Sequence, residues 1–183
     1  MDLRTEQAPD RAAVEELHRE AFGDHGAAVA DLVGSLRHEI TADDGLSLVA
    51  ADEDGAVTGH VMFTRGLLDA PRRLVPVQVL SPVAVLPARQ GQGVAAALIR
   101  AGVQVMVDRS VPVVFLEGDP RYYVRLGFVP GAAHGFRKPS LRIPDAAFQA
   151  LLLPDHEPWM TGTLVYSETF WRQDAVGLRD DGA

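Results

Sequence analysis

The chain has 183 residues, a formal net charge of −8, 47% hydrophobic residues and no cysteine. The absence of cysteine excludes disulfides, thiolate zinc ligands and a cysteine nucleophile, and it favours a reducing cytoplasm. The N-terminal residues are charged and lack the apolar core of a signal peptide, which favours the same compartment. The acidic balance argues against general nucleic-acid binding, and no stretch is long and apolar enough to span a membrane.

The first part of the chain predicts a strand and two helices. Residues 3–7 (LRTEQ) suit a short strand, and Pro9-Asp10 then opens a helical pattern that ends near Gly23. A second amphipathic run carries apolar residues at helical spacing: Val29, Leu32, Val33 and Leu36. Because Arg37 and Glu39 lie off this stripe, we expect them on a solvated face.

Strands follow these helices. Leu46–Ala51 and Val57–Thr64 predict a hairpin with its turn at Asp54-Gly55. Residues 72–87 (RRLVPVQVLSPVAVLP) form a further valine-rich strand that prolines interrupt. A proline removes a ladder donor, so Pro82, close to the next turn, marks an edge, a bulge or a place where two strands part.

The second half of the chain alternates between helix and strand. Val94–Val107 predicts a helix, residues 111–118 (VPVVFLEG) a buried strand, and residues 119–128 a short helix that Asp119 caps and Gly127 ends.

The C-terminal residues predict at least one more strand pair. Residues 141–153 and 161–171 supply the strands, and residues 154–162 (PDHEPWMTG) join them. We expect a single α/β (α+β) domain over residues 1–183 with a mixed sheet, in which residues 130–183 are a strand-rich C-terminal segment.

The glycine-rich turn before the second-half helix allows two interpretations. Residues 91–96 (GQGVAA) satisfy the dinucleotide-binding pattern, and Glu117 ends the next strand as an acidic ribose ligand would. However, residues 86–90 separate the turn from its strand, an antiparallel hairpin precedes it, and too little helix–strand alternation follows for a doubly wound sheet. The turn also lacks the Gly-Lys-Ser/Thr of a nucleoside-triphosphate loop.

The second interpretation rests on Gln90-x-x-Gly93-x-Ala95, which resembles the Gln/Arg-x-x-Gly-x-Gly/Ala signature of the GNAT N-acetyltransferases. Pro82-Val83-Ala84-Val85-x-Pro87 before it and residues 118–128 (GDPRYYVRLGF) after it strengthen the match. The latter segment is typical of the YhbS-like predicted acetyltransferases. The resemblance covers nearly the whole chain and implies a GNAT fold: a mixed, mostly antiparallel sheet with splayed central strands, flanked by helices.

Acetyl-CoA is the cosubstrate that this resemblance implies. Unpaired N–H groups and the dipole at a helix start attract a pyrophosphate, and glycines let its oxygens approach the backbone. The residues expected at the turn are Arg89, Gln90, Gly91, Gln92, Gly93, Val94 and Ala95. The pantetheine arm is expected along Val83, Ala84 and Val85. A plain strand-to-helix turn with tolerated glycines is the alternative explanation.

The resemblance also implies a general acid. Tyr123 matches the family's tyrosine, which contacts the cosubstrate and gives a proton to the departing thiolate; a phenol is protonated at neutral pH. Packing alone is the other explanation for Tyr123. The general base is open, because the strand before the signature carries Gln78 and no carboxylate where many members have a glutamate. Glu117, His60 and a chain of water molecules are the candidates. The structural explanations for the two side chains are an arginine partner for Glu117 and a hydrogen bond within the sheet for His60.

The resulting hypothesis is transfer of acetyl from acetyl-CoA to an amine of a small molecule or peptide. The acidic composition mildly favours a cationic acceptor. The resemblance also implies that Arg37 and Glu39 could line the acceptor site, because the second helix borders the substrate in the family. The alternative is a non-catalytic acyl-CoA-binding sensor or scaffold. A third hypothesis makes residues 151–162 (LLLPDHEPWMTG) a protein-interaction segment. The histidines lack metal-ligand spacing, so we expect no metal, and a homodimer is possible because dimers are common in the family.

Overall fold

The computed structural model describes residues 1–177, and these contain nine strands and five α-helices. The strands are β1 (Asp2–Thr5), β2 (Leu46–Ala51), β3 (Val57–Asp69), β4 (Leu74–Val85), β5 (Val113–Glu117), β6 (Val129–Pro130), β7 (Phe136–Arg137), β8 (Phe148–Leu152) and β9 (Gly162–Val165). The helices are α1 (Arg11–Phe22), α2 (Gly26–Leu36), α3 (Val94–Asp108), α4 (Pro120–Tyr123) and α5 (Glu168–Arg172).

The chain divides into two compact units. The first comprises residues 1–64 and 80–106, and the second comprises residues 65–79 and 107–183. The long strands β3 and β4 contribute to both units.

The first unit pairs three strands antiparallel and packs helices on them. β1 pairs with β2, and β2 pairs with β3 from the register Leu46↔Phe63 onward. The predicted strand, both early helices and the hairpin are confirmed, and β3 runs five residues past the predicted end at Thr64. Val14 and Leu17 of α1 are buried, which is the stripe that the helical spacing predicts.

The second unit is organised around β5. This strand lies parallel to β4 through Gln78↔Val114 and Val79↔Phe115, and antiparallel to β8. β8 also pairs with β6, and β9 pairs with β3 and with β7. The Phe115 ring meets the Phe136 and Phe148 rings at 4.9 and 5.7 Å between centroids, which forms the aromatic core of this unit.

The C-terminal strands correct one prediction. β8 and β9 both form, but they pair with β5, β6, β3 and β7 rather than with each other. The pair expected across residues 154–162 is therefore wrong, because each strand finds its partner far away in sequence.

Burial also removes support from the interaction hypothesis for residues 151–162. Leu153 and Met160 are buried, and Trp159 is half-buried. Much of the apolar surface of this segment is therefore buried inside the fold.

In residues 1–177 no helix has the length and hydropathy that a membrane span requires.

Candidate active site

The glycine turn between β4 and α3 has a backbone that only glycine adopts readily. Gly91 and Gly93 have φ values of 73° and 84°, in the left-handed region. A Cβ built at either position would meet no heavy atom within 4 Å. These glycines are therefore required by backbone conformation and not by packing, and the space beside them is open to a ligand.

The start of α3 supplies backbone donors next to this turn. The Ala97 N–H donates to the Gly93 carbonyl at 3.0 Å and begins the hydrogen bonding of the helix. The backbone N–H groups before Ala97 come ahead of this first helical bond and can donate to a ligand. The helix dipole adds partial positive charge at the same place. Gly59 of β3 fixes the position of this helix start, because a Cβ there would lie 2.7 Å from Val94 Cγ1.

Two glutamine side chains brace the turn. Gln90 Nε2 donates to the Val85 carbonyl at 3.2 Å, and Gln92 Nε2 donates to the Ala88 carbonyl at 3.0 Å. Both bonds join the side chain to backbone of the same strand–turn segment. They hold the turn in shape while its glycine backbone stays exposed.

Arg89 is the cation of this turn. Its guanidinium is about half exposed and lies 3.8 Å from the carboxylate of Asp52. An ion pair at this separation contributes little to the stability of the fold. The other Asp52 oxygen accepts from the N–H groups of Asp54 and Ala56, so the hairpin backbone holds this carboxylate in place. A polar cavity of about 520 Å³ adjoins both side chains, and Gln92 also lines it.

The end of β4 is where the pantetheine arm is expected. Within the described residues the parallel register with β5 comprises Gln78 and Val79 and stops there. Ala84 and Val85 are buried, and Val83 is half-buried.

Tyr123 lies at the end of α4. Asp119 caps this helix by accepting from the Arg121 N–H at 2.9 Å, as predicted. The Tyr123 ring packs against Gly118, where a Cβ would lie 2.3 Å from the ring, and meets the Phe128 ring edge-on. Burial raises the pKa of Tyr123 to about 12, so the phenol is protonated at neutral pH.

Glu117 ends β5 and is mostly buried. Its carboxylate accepts from the Tyr166 hydroxyl at 2.7 Å and from the Gly177 N–H at 3.2 Å. Burial raises the pKa of Glu117, and these two bonds offset only part of that effect. An arginine partner was the expected structural explanation for this residue, whereas a tyrosine and a backbone amide fill that position.

His60 is fully buried in a polar network. Its Nδ1 lies 2.8 Å from His18 Nε2, and its Nε2 lies 2.8 Å from Ser47 Oγ and 3.8 Å from Glu6. Burial lowers the pKa of His60, and burial with the neighbouring charges lowers the pKa of His18 to about 3. Both rings are therefore neutral at neutral pH.

Arg37 anchors the other end of this network. Its guanidinium pairs with Glu6 at 2.7 Å and with Glu15 at 2.9 Å, and its side chain is only 11% exposed. The expectation of a solvated face for Arg37 is therefore wrong. Burial raises the pKa of Glu6, but the hydrogen bonds from Arg37 and Ser47 and the nearby His60 outweigh it and hold that pKa at about 2.

Sequence reasoning missed this network because its members are far apart in the chain. One signal was available: His18 falls four residues after Val14, on the buried stripe of α1. A polar residue on such a stripe requires a buried partner. Among residues 1–177, no group of three or more histidine and carboxylate side chains suits a metal ion.

Sequence comparison identifies the family. The family model of acetyltransferase (GNAT) domains matches residues 2–131. The chain belongs to the GNAT family of N-acetyltransferases. This confirms the resemblance that the Gln90 to Ala95 signature indicated.

Two relatives from Escherichia coli K12 are similar along the chain. The uncharacterized N-acetyltransferase YhbS is 33% identical over 178 residues, which are 94% of this chain and 99% of YhbS. The uncharacterized N-acetyltransferase YjhQ is 39% identical over 127 residues, which are 67% of this chain and 66% of YjhQ.

Solved GNAT structures share the fold. The crystal structure of Escherichia coli YhbS in complex with CoA superposes with a TM-score of 0.81 at 31% identity, covering 93% of this chain and 92% of YhbS. A GNAT acetyltransferase from Brucella melitensis in complex with acetyl-CoA gives a TM-score of 0.71 at 31% identity, covering 92% of this chain and 97% of that one. The GNAT fold predicted from the sequence is thereby confirmed.

Proposed function

We propose that this GNAT protein transfers acetyl from acetyl-CoA to an amine of a small molecule or peptide. The observation that carries the proposal is the exposed turn at Gly91 and Gly93, with open space beside it and the helix start of α3 behind it. A pyrophosphate suits this arrangement because backbone donors and the helix dipole both favour an anion. The CoA and acetyl-CoA found in two similar structures support the same ligand.

The turn residues would hold the nucleotide end of acetyl-CoA. Arg89 adds a charge that a pyrophosphate can reach, since its pairing with Asp52 is long and exposed. Gln90 and Gln92 keep the turn in shape through their bonds to backbone carbonyls. The backbone of Val83 to Val85 is the proposed partner of the pantetheine arm, as the family resemblance implies.

Tyr123 is the proposed general acid. The acceptor nitrogen attacks the thioester carbonyl carbon, the carbon–sulfur bond breaks, and the thiolate takes the Tyr123 hydroxyl proton. The phenolate then regains a proton from water. The Tyr123 phenol carries its proton at neutral pH, as a general acid must, and the thiolate has to draw that proton from an acid that burial has weakened.

Glu117 has better support as the general base than His60. Both ring nitrogens of His60 have partners and its side chain is fully buried, so it cannot reach an acceptor directly. Glu117 is less buried, and its raised pKa makes its carboxylate a stronger base. It would take the proton that the acceptor nitrogen loses, directly or through water.

A coupled pair of measurements tests the function. Isothermal titration calorimetry should show binding of acetyl-CoA, and thiol release should follow only when a suitable amine is added. The Gly93→Val variant should weaken acetyl-CoA binding at least tenfold, because a β-branched residue is strained at this φ and fills the open space. Binding without thiol release across a broad amine panel would instead support the non-catalytic sensor.

A further inference from the structure

An arginine pair occupies the turn between β3 and β4. Arg72 and Arg73 follow Pro71 and are exposed. The Cζ atoms of these arginines lie 5.1 and 5.4 Å from the ring centroid of Trp159. Two guanidinium groups therefore share a single indole.

The backbone explains why Trp159 reaches this turn. β9 begins at Gly162 and pairs with the end of β3 through Asp69↔Thr163. A Cβ at Gly162 would lie 2.0 Å from the Asp69 carbonyl oxygen, so only glycine permits this approach. The loop before β9 is thereby held against the turn, and the indole with it.

Within residues 1–177, no carboxylate neutralises the charge of the pair. In residues 1–177, neither Arg72 nor Arg73 forms an ion pair or a hydrogen bond through its guanidinium. The carboxylates that lie nearest in sequence, Asp69 and Glu157, do not pair with them. Cation–π attraction to Trp159 offsets part of the repulsion between two like charges and restrains both side chains.

We propose that Arg72, Arg73 and Trp159 form a binding site for a phosphate dianion, either free or carried as a phosphomonoester. Two guanidinium groups carry two positive charges, which match the charge of a dianion. A single carboxylate would neutralise only one of these two charges. Guanidinium donors suit phosphate oxygens, and side chains already held by an indole lose less freedom on binding. In a chain of net charge −8, Arg72 and Arg73 form a local concentration of positive charge that has no ion-pair partner within residues 1–177 and that favours an anion.

Intrinsic fluorescence tests this site. The chain has two tryptophans, so Trp171→Phe leaves Trp159 as the single indole reporter. Titration with inorganic phosphate at constant ionic strength should change its emission saturably. Arg72→Gln/Arg73→Gln in the same background should raise the apparent Kd at least tenfold. The control Arg11→Gln/Arg100→Gln removes the same charge from two other exposed arginines and should change the Kd less than twofold.

A second arm separates the two sources of phosphate. Glycerol 2-phosphate that binds at least tenfold tighter than inorganic phosphate indicates a phosphomonoester ligand, and any smaller difference indicates free phosphate. Calorimetry on Trp159→Phe should also show weaker binding, which keeps the test available if the arginine variant fails to fold. No saturable change up to about 50 mM phosphate, or the same Kd in the arginine variant, would overturn the site. None of these measurements depends on acetyl transfer.

Discussion

At the scale of single residues, burial separates side chains that the sequence presents as equals. Glu117 and His60 are both candidate bases by residue type. The structure gives Glu117 two donors and a raised pKa, whereas it encloses His60 between His18 and Ser47. The difference arises from partners that are distant in the chain, so no local pattern contains it.

Replacing Glu117 tests its structural contacts and its proposed proton transfer together. Glu117→Gln keeps one acceptor oxygen but turns the other position into a donor, so either the Tyr166 hydroxyl or the Gly177 N–H loses its partner. We expect unfolding free energy to fall by about 1–3 kcal/mol in urea denaturation. The kcat should fall about a hundredfold, with loss of the acidic limb of its pH profile.

A companion variant separates the loss of stability in Glu117→Gln from its loss of activity. The companion variant Tyr166→Phe removes the same hydroxyl contact and leaves the carboxylate. If Tyr166→Phe lowers stability but keeps kcat, the activity loss in Glu117→Gln belongs to proton transfer. An unchanged kcat in Glu117→Gln would rule out the base.

The buried histidine pair predicts how stability depends on pH. The folded-state pKa of His18, about 3, lies below its ordinary 6.5. The unfolded chain therefore takes up protons that the folded chain does not, and stability falls as pH drops from 6.5 toward 3. Each histidine contributes at most about 1.4 kcal/mol per pH unit to this loss of unfolding free energy.

Urea unfolding between pH 7.5 and pH 5 measures this slope. The range lies above the window of Glu6, whose lowered pKa adds a loss of stability only below about pH 4.5. His18→Gln should be less stable at pH 7.5 but should lose less stability on acidification. An equal slope in His18→Gln would show that the pair does not titrate as described.

At the scale of elements, glycine sets how closely helix and strand approach. Gly59 allows the start of α3 to rest on β3, which aims the backbone donors of the helix at the open side of the turn. The position of a helix start is therefore controlled from a strand more than thirty residues earlier in the chain.

A pair of glycine variants tests this control. In Gly59→Ala the new Cβ would lie 2.7 Å from Val94 and 3.0 Å from Leu98, so the helix start must shift. We expect the KM for acetyl-CoA to rise about tenfold. Gly34→Ala in α2 is the matched control, because its Cβ meets nothing within 4 Å. The control should keep its KM and gain about 0.5–1 kcal/mol of stability. Equal KM values in both variants would contradict the role of Gly59.

Local patterns predicted most elements but not their long-range partners. Helical spacing predicted α1 and α2, the Asp54-Gly55 turn predicted the hairpin, and Asp119 predicted the cap of α4. Periodicity and turn chemistry act within a few residues, which is why these predictions succeed. The pairing of β9 with β3, and the ion pairs of Arg37, depend on interactions between distant segments.

The candidate site divides in the same way. A short motif singled out Gly91 and Gly93, and the structure gives both glycines positive φ values, whereas their contact with acetyl-CoA stays a prediction. Gln90 and Gln92 bind the backbone of their own turn, which the motif did not reveal. The roles of Tyr123 and Glu117 in catalysis stay predictions, because residue type and resemblance support them rather than a bound substrate.

At the scale of the whole molecule, charge is distributed unevenly. The first compact unit has six Lys or Arg residues against fourteen Asp or Glu residues, whereas the second has eleven of each in the sequence. The formal net charge of −8 therefore belongs to the first unit alone. This excess of carboxylates produces a negative electrostatic potential that attracts cations and that salt screens.

This asymmetry predicts a preference for acceptors of higher positive charge. We expect kcat/KM for 1,4-diaminobutane to exceed that for butylamine about tenfold at low ionic strength. The ratio should fall toward one in about 0.5 M salt, because screening shortens the reach of the field. A ratio near one at low salt would remove charge as a determinant of the acceptor.

The proposed acetyl transfer depends on Tyr123 as the general acid. The most direct test compares wild type with Tyr123→Phe by thiol release in the presence of a productive amine, with acetyl-CoA binding measured on the same samples. The variant should bind acetyl-CoA within about threefold of wild type while kcat falls at least about a hundredfold, because only the proton donor is missing. Equal turnover by Tyr123→Phe across the pH range would contradict this claim.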